Sequence, residues 1–362
     1  MAKKLSTDLV LLAVTVALMG FGMVMVWSAS SALALERHGS PYYFLVKQGL
    51  WGVLGIGGMV AALRVDYRRL RRPGFVYGLL GAATLLLIAV LFLAPVNETH
   101  RWIRLGALSF QPAELAKLAI VVFLAYHIER RQDRVAEFSL LFPALLLLGW
   151  FGFLVLIQPD LGSAFCLVLT GAVMLFVAGV RLRYFAILAV PALTVLYAAI
   201  AATPWRLRRV LMFFNPWQDP QGAGYQVIQS LIAVGTGGVT GVGLMEGRQK
   251  LFYLPYPYSD FVFAVIGEEL GLLGAIAVVA AFVVILWRGL RAAWGAPDEF
   301  GRFLATGLTL SIVFQALINI SVTLGILPTK GIPLPFISAG GSSLVFALVG
   351  IGLVANVSQH AD

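Results

Sequence analysis

Apolar runs of 18 residues or more recur along this 362-residue chain from end to end. No other feature narrows the fold so far, because a backbone in hydrocarbon is satisfied only as a helix or a closed barrel. The runs are continuous and do not alternate with period two, which excludes an outer-membrane barrel. Composition agrees: the chain is 60% hydrophobic and 12% charged, about half the charge of a soluble protein of this length. It reads as an all-α polytopic membrane protein, and nucleic acid is not an expected partner.

Ten spans are expected, at 9–27, 45–63, 74–94, 112–128, 139–157, 161–179, 184–202, 260–287, 303–325 and 335–356. These lengths suit a bilayer core of ~30 Å at 1.5 Å rise per residue. The first run follows Lys3 and Lys4 and precedes Ala32-Leu33-Ala34, but it is too long for a signal peptide and more spans follow. With no internal repeat, linker or low-complexity segment, residues 1–362 read as a single membrane domain. Lysine and arginine near short loops set the orientation. Lys3, Lys4, Arg68, Arg69, Arg71, Arg72, Arg130, Arg131, Arg134, Arg181, Arg183, Arg288, Arg291 and Arg302 fall inside, so both termini are expected in the cytoplasm. The single cysteine, Cys166, lies within a run and has no partner for a disulfide. The four histidines, His38, His100, His127 and His360, lack ligand spacing, so a histidine or cysteine metal site is not expected.

The outer loops also hold cations: Arg101, Arg104, Arg206, Arg208, Arg209, Arg248, Lys250 and Lys330. Long translocated loops escape the orientation rule, so this charge needs another reason. Anchoring to anionic lipid headgroups is one; an outward-facing site for a phosphate ester is the other. The loop at about 203–259, between the seventh and eighth spans, exceeds what a connection needs, and its aromatics argue against disorder. Its stretch GYQVIQSLIAVGTGGVTGVGLMEGRQK is apolar but broken by glycine. It should lie at the membrane surface, or dip in and return buried against protein.

Ionisable groups within or beside spans are functional candidates. Glu114 and Lys117 in QPAELAKL share a helix face and can pair, either as a structural lock or as a site wall. Asp160 in QPDLG begins a span, where capping alone would explain it. Asp260 also begins one, in YPYSDFVFAVIGEELG, but an aromatic- and proline-rich loop would hold its carboxylate partly dry, with Arg248 and Lys250 close upstream. That environment suits a general base. Glu268 and Glu269 lie about 12–14 Å further along the helix; at ~100° per residue Glu268 should turn back toward Asp260 and Glu269 away. In LPTKGIPLPFISAGGSS, Lys330 on a proline-bracketed loop is placed to hold a phosphate. Ser342 and Ser343 follow paired glycines and serve either packing or the site.

Four stretches, RWIRLGALSFQPAELAKL, NPWQDPQGAGYQVIQSLIAVGTGG, DFVFAVIGEELG and GILPTKGIPLPFISAGGSS, resemble the signatures of the SEDS family (shape, elongation, division and sporulation) in order and spacing. The ten spans match that family's architecture over essentially the whole chain, and the PTKG form around Lys330 is more similar to the division branch (FtsW, SpoVE) than to the elongation branch (RodA). The resemblance implies a peptidoglycan glycosyltransferase that polymerises lipid II on the outer face of the bacterial cytoplasmic membrane. It implies a class B penicillin-binding protein as partner, with other division proteins of the membrane. Asp260 matches the family's essential aspartate; Trp102, Glu114, Lys117, Asp160, Lys330 and Ser338 match cavity-lining positions. The chain departs from the pattern at Tyr258 and Ser259, where the family has histidine and threonine, at Ala339 for tyrosine and at His100 for a basic residue.

On that reading Asp260 deprotonates the acceptor GlcNAc 4-hydroxyl, which displaces undecaprenyl diphosphate from the donor MurNAc with inversion. Arg101, Arg104, Lys117, Lys250 and Lys330 meet the diphosphate charge, with room for a divalent cation (Mg or Mn) beside them, and Glu268 supports the site. A lipid II flippase and a scaffold for division partners are the rivals. A transporter needs polar groups near the midplane, whereas these cluster at outer helix ends.

Overall fold

The computed structural model describes residues 7–94, 99–105, 108–131 and 138–360. Lys3, Lys4 and Arg134, counted above in setting the orientation, lie outside the described residues. In chain order the structure contains α1 Leu9–His38, α2 Tyr43–Arg64, α3 Pro73–Ala89, a hairpin of β1 Ile103–Leu105 and β2 Leu108–Phe110, α4 Pro112–Arg130, α5 Phe138–Ile157, α6 Leu161–Val177, α7 Leu182–Ala201, α8 Pro204–Phe214, α9 Tyr225–Gly237, α10 Val262–Trp294, α11 Glu299–Thr323 and α12 Ser342–Ser358.

Each segment expected to span contains one helix. Among the described residues, six are long and apolar enough to cross a membrane: α1, α2, α3 with its 3-10 continuation to Phe92, α7, α10 and α11. α6 and α12 are apolar but only 17 residues long. The chain is a multi-pass helical membrane protein. α4, the least apolar of the segments expected to span, packs against α3, α6 and α11 and is buried from Pro112 to Ile128 except at Leu115 and Leu118. A helix screened from lipid by its neighbours has no need of an apolar surface.

Several helix ends differ from expectation. α1 continues past Trp27 to His38, where Gly39 (φ 71°) caps it and the His38 ring stacks on Tyr43. α12 begins at Ser342 rather than at 335, because Pro333, Pro335 and the Gly340-Gly341 pair cannot continue a helix. The irregular stretch before it is buried, with Phe336, Ile337 and Ser338 at most 2% exposed. Such backbone is tolerated at membrane depth only against protein.

The 203–259 segment is itself largely helical. α9 packs along α10, and the chain after it enters a break in α10 at Gly271, whose φ of 64° and ψ of −160° only glycine adopts readily. There Val242 and Gly243 donate to the carbonyls of Glu268 and Glu269, while Leu272 and Leu273 donate to Gly238 and Val239. The broken helix thus exchanges its lost internal bonds for bonds to the inserted loop. At the opposite end of the bundle from this loop, Tyr67 and Arg68 both bond Asp298, and Arg288 pairs with Asp8 at 2.7 Å.

Candidate active site

The hairpin, the 203–261 segment and the 328–341 segment converge at one end of the bundle around a cavity of about 890 Å³. Asp260, Glu114 and Asp160 face it together with Lys47, Arg101, Arg104, Lys117, Arg206, Arg209 and Lys330. Among the described residues that is seven cations against three carboxylates, a basin that favours an anion.

Asp260 is half-buried in the turn ahead of α10. It does not cap that helix: the residue before Val262 is Phe261, and no side chain bonds the helix start. Three successive carbonyls of its loop are held by the rest of the site. Tyr258 O accepts from Ala339 N at 2.9 Å, Ser259 O from Ser338 Oγ at 2.5 Å, and Asp260 O from Asn319 Nδ2 at 2.8 Å. Burial pushes the Asp260 carboxyl up to about 6, with Asp160 adding to the rise and Arg101, Arg209 and Ser259 opposing it. A base with that value is ionised at neutral pH yet stronger than an ordinary carboxylate.

The other two carboxylates are committed. Asp160 caps α6, accepting from Ser163 N and Oγ at 3.0 and 2.8 Å and from Gln111 Nε2 at 2.9 Å. Glu114 pairs with Lys117 at 2.8 Å, and Lys117 donates to Gln315 Oε1 at 2.6 Å. Both members of that pair are at least nine-tenths buried, so they form a rigid floor. Among the described salt bridges only Glu114 of the three has a cation in contact, and Asp260, unlike Asp160, is not engaged in capping a helix.

Several cations are held by backbone rather than by carboxylates. Arg101 donates to Gln158 O at 3.1 Å and to Pro159 O, and Arg206 donates to Ala199 O at 3.0 Å. Arg209 stacks on Trp205, and the Lys330 ammonium lies 5.7 Å from the Phe165 ring. Burial, then the charge of Arg101, pushes Arg206 and Arg209 down, and burial likewise lowers Lys330. Carbonyl anchoring fixes these groups without cancelling their charge.

Not every candidate reaches the cavity. Trp102 lines it, but Ser338, Ser342 and Ser343 stand behind its wall, bonding Ser259 O, Gln111 N and Gln315 respectively. Lys250 and Glu268 are corrections. Lys250 pairs with Glu269 at 2.7 Å, and Glu268 accepts from Arg248 N and Gln249 N at 2.8 and 3.2 Å. The helical angle from Asp260 to Glu268 does not apply because Asp260 and Phe261 precede the helix. Arg206 and Arg209 were read only as outer cations; their i,i+3 spacing in RLRR is the signal that places them on one face of α8. Gln315 and Asn319, one turn apart on apolar α11, were missed outright. Among the described residues no three His, Cys, Asp or Glu side chains converge to hold a metal.

Residues 9–362 match the family model for FtsW, RodA and SpoVE, described as cell cycle proteins. A relative from Geobacter sulfurreducens, "Probable peptidoglycan glycosyltransferase FtsW", is 45% identical over 98% of this chain and 95% of its own. Stage V sporulation protein E of Bacillus subtilis is 40% identical over 99% of each. Among solved structures, a chain of a peptidoglycan synthase complex that coordinates polymerization and crosslinking superposes with a TM-score of 0.80 at 33% identity, over 98% of both chains. Thermus thermophilus RodA gives 0.72 at 29% identity, over 98% of this chain and 97% of its own. With a family model matched over nearly its whole length and relatives alike from end to end, this chain belongs to the FtsW/RodA/SpoVE family of cell cycle proteins.

Proposed function

We propose that the protein is a peptidoglycan glycosyltransferase that polymerises lipid II on the outer face of the cytoplasmic membrane during cell division. The observation that carries this is Asp260, a half-buried carboxylate without a cation partner, facing a cationic basin on a chain 45% identical to a protein of that name. Asp260 takes the proton of the acceptor GlcNAc 4-hydroxyl. The freed oxygen attacks the donor MurNAc anomeric carbon as the bond to the diphosphate oxygen breaks, and the configuration inverts. Arg101, Arg206, Arg209 and Lys330 meet the diphosphate charge, so no separate acid is required. Trp102, Arg104, Glu114, Lys117 and Asp160 shape the walls and floor. The chain is read as one domain of ten spans with both termini in the cytoplasm, a reading supported by the basic residues at the end away from the cavity.

The partner is a class B penicillin-binding transpeptidase, a reading supported by the similar chain's membership of a synthase complex. The test is lipid II polymerisation by the purified protein with such a partner, itself lacking glycosyltransferase activity. Glycan strands from wild type and none from a folded Asp260→Asn variant are expected. Equal polymer from both would remove Asp260 as the base. No polymer from wild type, with lipid II moving across vesicles, would favour a flippase.

A further inference from the structure

Asn319 is a polar side chain near the C-terminal end of an apolar helix, 2% exposed, and it donates two hydrogen bonds to two different segments of the site. Its Nδ2 reaches Asp260 O at 2.8 Å and Ile332 O at 2.6 Å. Both partners are carbonyls, which can only accept, so the amide orientation is fixed by chemistry: a flipped amide would set its oxygen against two oxygens. Its Oδ1 is buried with no hydrogen-bond partner among the described residues. A buried polar group left half-satisfied costs stability, so packing does not explain the choice of asparagine.

The two carbonyls belong to the two strands of chain that the reaction needs in register. One is the carbonyl of Asp260 itself. The other lies two residues after Lys330, on the strap whose Gly331 comes against the Asp260 carboxylate. Ser338 and Ala339 hold the loop ahead of Asp260 to the later part of the same segment. Among the described residues Asn319 is the bundle side chain whose hydrogen bonds reach the Asp260 loop and the strap together.

We propose that Asn319 is a positioning residue for the glycosyl transfer, fixing the Asp260 carboxylate relative to the Lys330 strap. This rests on the reading of Asp260 as the base. Asparagine is suited because a single planar NH₂ bonds two acceptors at a set separation, whereas an ionised aspartate of the same size cannot donate to either. Displacing a catalytic group by about 1 Å can cost on the order of a hundredfold in rate. The charged groups facing Asp260, whose positions relative to it Asn319 governs, are Arg101 before the hairpin, Asp160 at α6 and Arg209 on α8.

The test compares wild type with Asn319→Ala, Asn319→Asp and Asn319→Gln in the full chain with its partner. Polymerisation kinetics as a function of lipid II and of pH are paired with the pH profile of Asp260 labelling by a hydrophobic carbodiimide, read by mass spectrometry. The expectation is a kcat lowered about tenfold or more in the Ala and Asp variants with KM changed less than about threefold. The labelling midpoint and the acid limb of kcat should both move together, with partial recovery in the Gln variant. Wild-type kcat in the Ala variant, or a labelling profile superimposable on wild type, overturns the positioning role. Labelling reads Asp260 without polymer, so an inactive wild type would sink the polymerase reading alone, and an unshifted label the role of Asn319 alone.

Discussion

Gly331 stands against Asp260 with no side chain between them: a Cβ built on Gly331 would lie 3.0 Å from Asp260 Oδ2. The strap before α12 therefore meets the carboxylate with bare backbone, and the oxygen it meets belongs to the carboxylate proposed as the base.

Gly331→Ala should consequently impair chemistry and spare folding. A methyl at that distance is tighter than ordinary van der Waals contact, so the carboxylate must rotate or the strap must shift by a few tenths of an ångström. A kcat lower by on the order of tenfold is expected, with an unchanged thermal midpoint. Measured side by side, a fall in both would mean the glycine serves the strap rather than the base.

The raised Asp260 value makes two pH predictions. Polymerisation should lose rate on acidification with a midpoint near 6, where the carboxyl takes up a proton. The stability sign is opposite to that of a salt-bridged carboxylate. The folded value lies above the unfolded value of about 4, so the native state holds the proton more tightly. The cost of burying the charge is absent below pH about 4, grows through the window between 4 and 6, and is complete above it, at most about 3 kcal/mol. Asp260→Asn should therefore melt higher than wild type at pH 7.5 and alike near pH 4. Identical melting at both values would show that the carboxylate is not desolvated.

Much of this was legible in the sequence, and the failures share a cause. Apolar length placed a helix in each segment expected to span, but said nothing of α12's start, since PLPFISAGG is apolar too and only its backbone excludes a helix. Asp260, Glu114 and Asp160 stood out because charge in apolar surroundings is rare. Glu268 was misplaced because helical phase was counted through Phe261, which is not helical. Arg206 and Arg209 could be read equally as headgroup anchors or as part of an outward-facing anion site, because their place depends on α8 folding back over the cavity. Asn319 escaped notice since an amide carries no charge.

Arg206 and Arg209 should act on substrate more than on the fold. Neither is paired with a carboxylate among the described salt bridges, so removing one strips charge from the basin without stranding a charged partner. Arg206→Ala and Arg209→Ala should each lower kcat/KM for lipid II by about ten- to a hundredfold, the range of a charge-assisted bond. Lysine at either position should recover only part, since it lacks the guanidinium fork. Initial rates across lipid II concentrations decide this, and unchanged kcat/KM in both alanine variants would take α8 out of the site.

The Lys250–Glu269 pair is expected to matter for folding and not for chemistry. Lys250 Nζ donates to Glu269 Oε1 at 2.7 Å and to Ser28 Oγ at 2.9 Å, Ser28 donates to the same carboxylate, and Met245 N adds a fourth bond at 3.0 Å. This cluster ties α1 to the inserted loop two residues ahead of the break at Gly271, and both charged groups are buried. Removing one partner strands the other charge, typically at about 3–5 kcal/mol, whereas removing both is far cheaper. Lys250→Met should therefore lower the melting temperature sharply. Glu269→Gln should do less, because its carbonyl can still accept from Lys250 or Met245, and Lys250→Met with Glu269→Gln should recover much of the loss. Melting curves of the three variants in detergent, with polymerisation measured on the folded fraction, test this. Additive losses in the double variant would mean the two side chains stabilise the loop independently, and a folded single variant without activity would move the pair from scaffold to site.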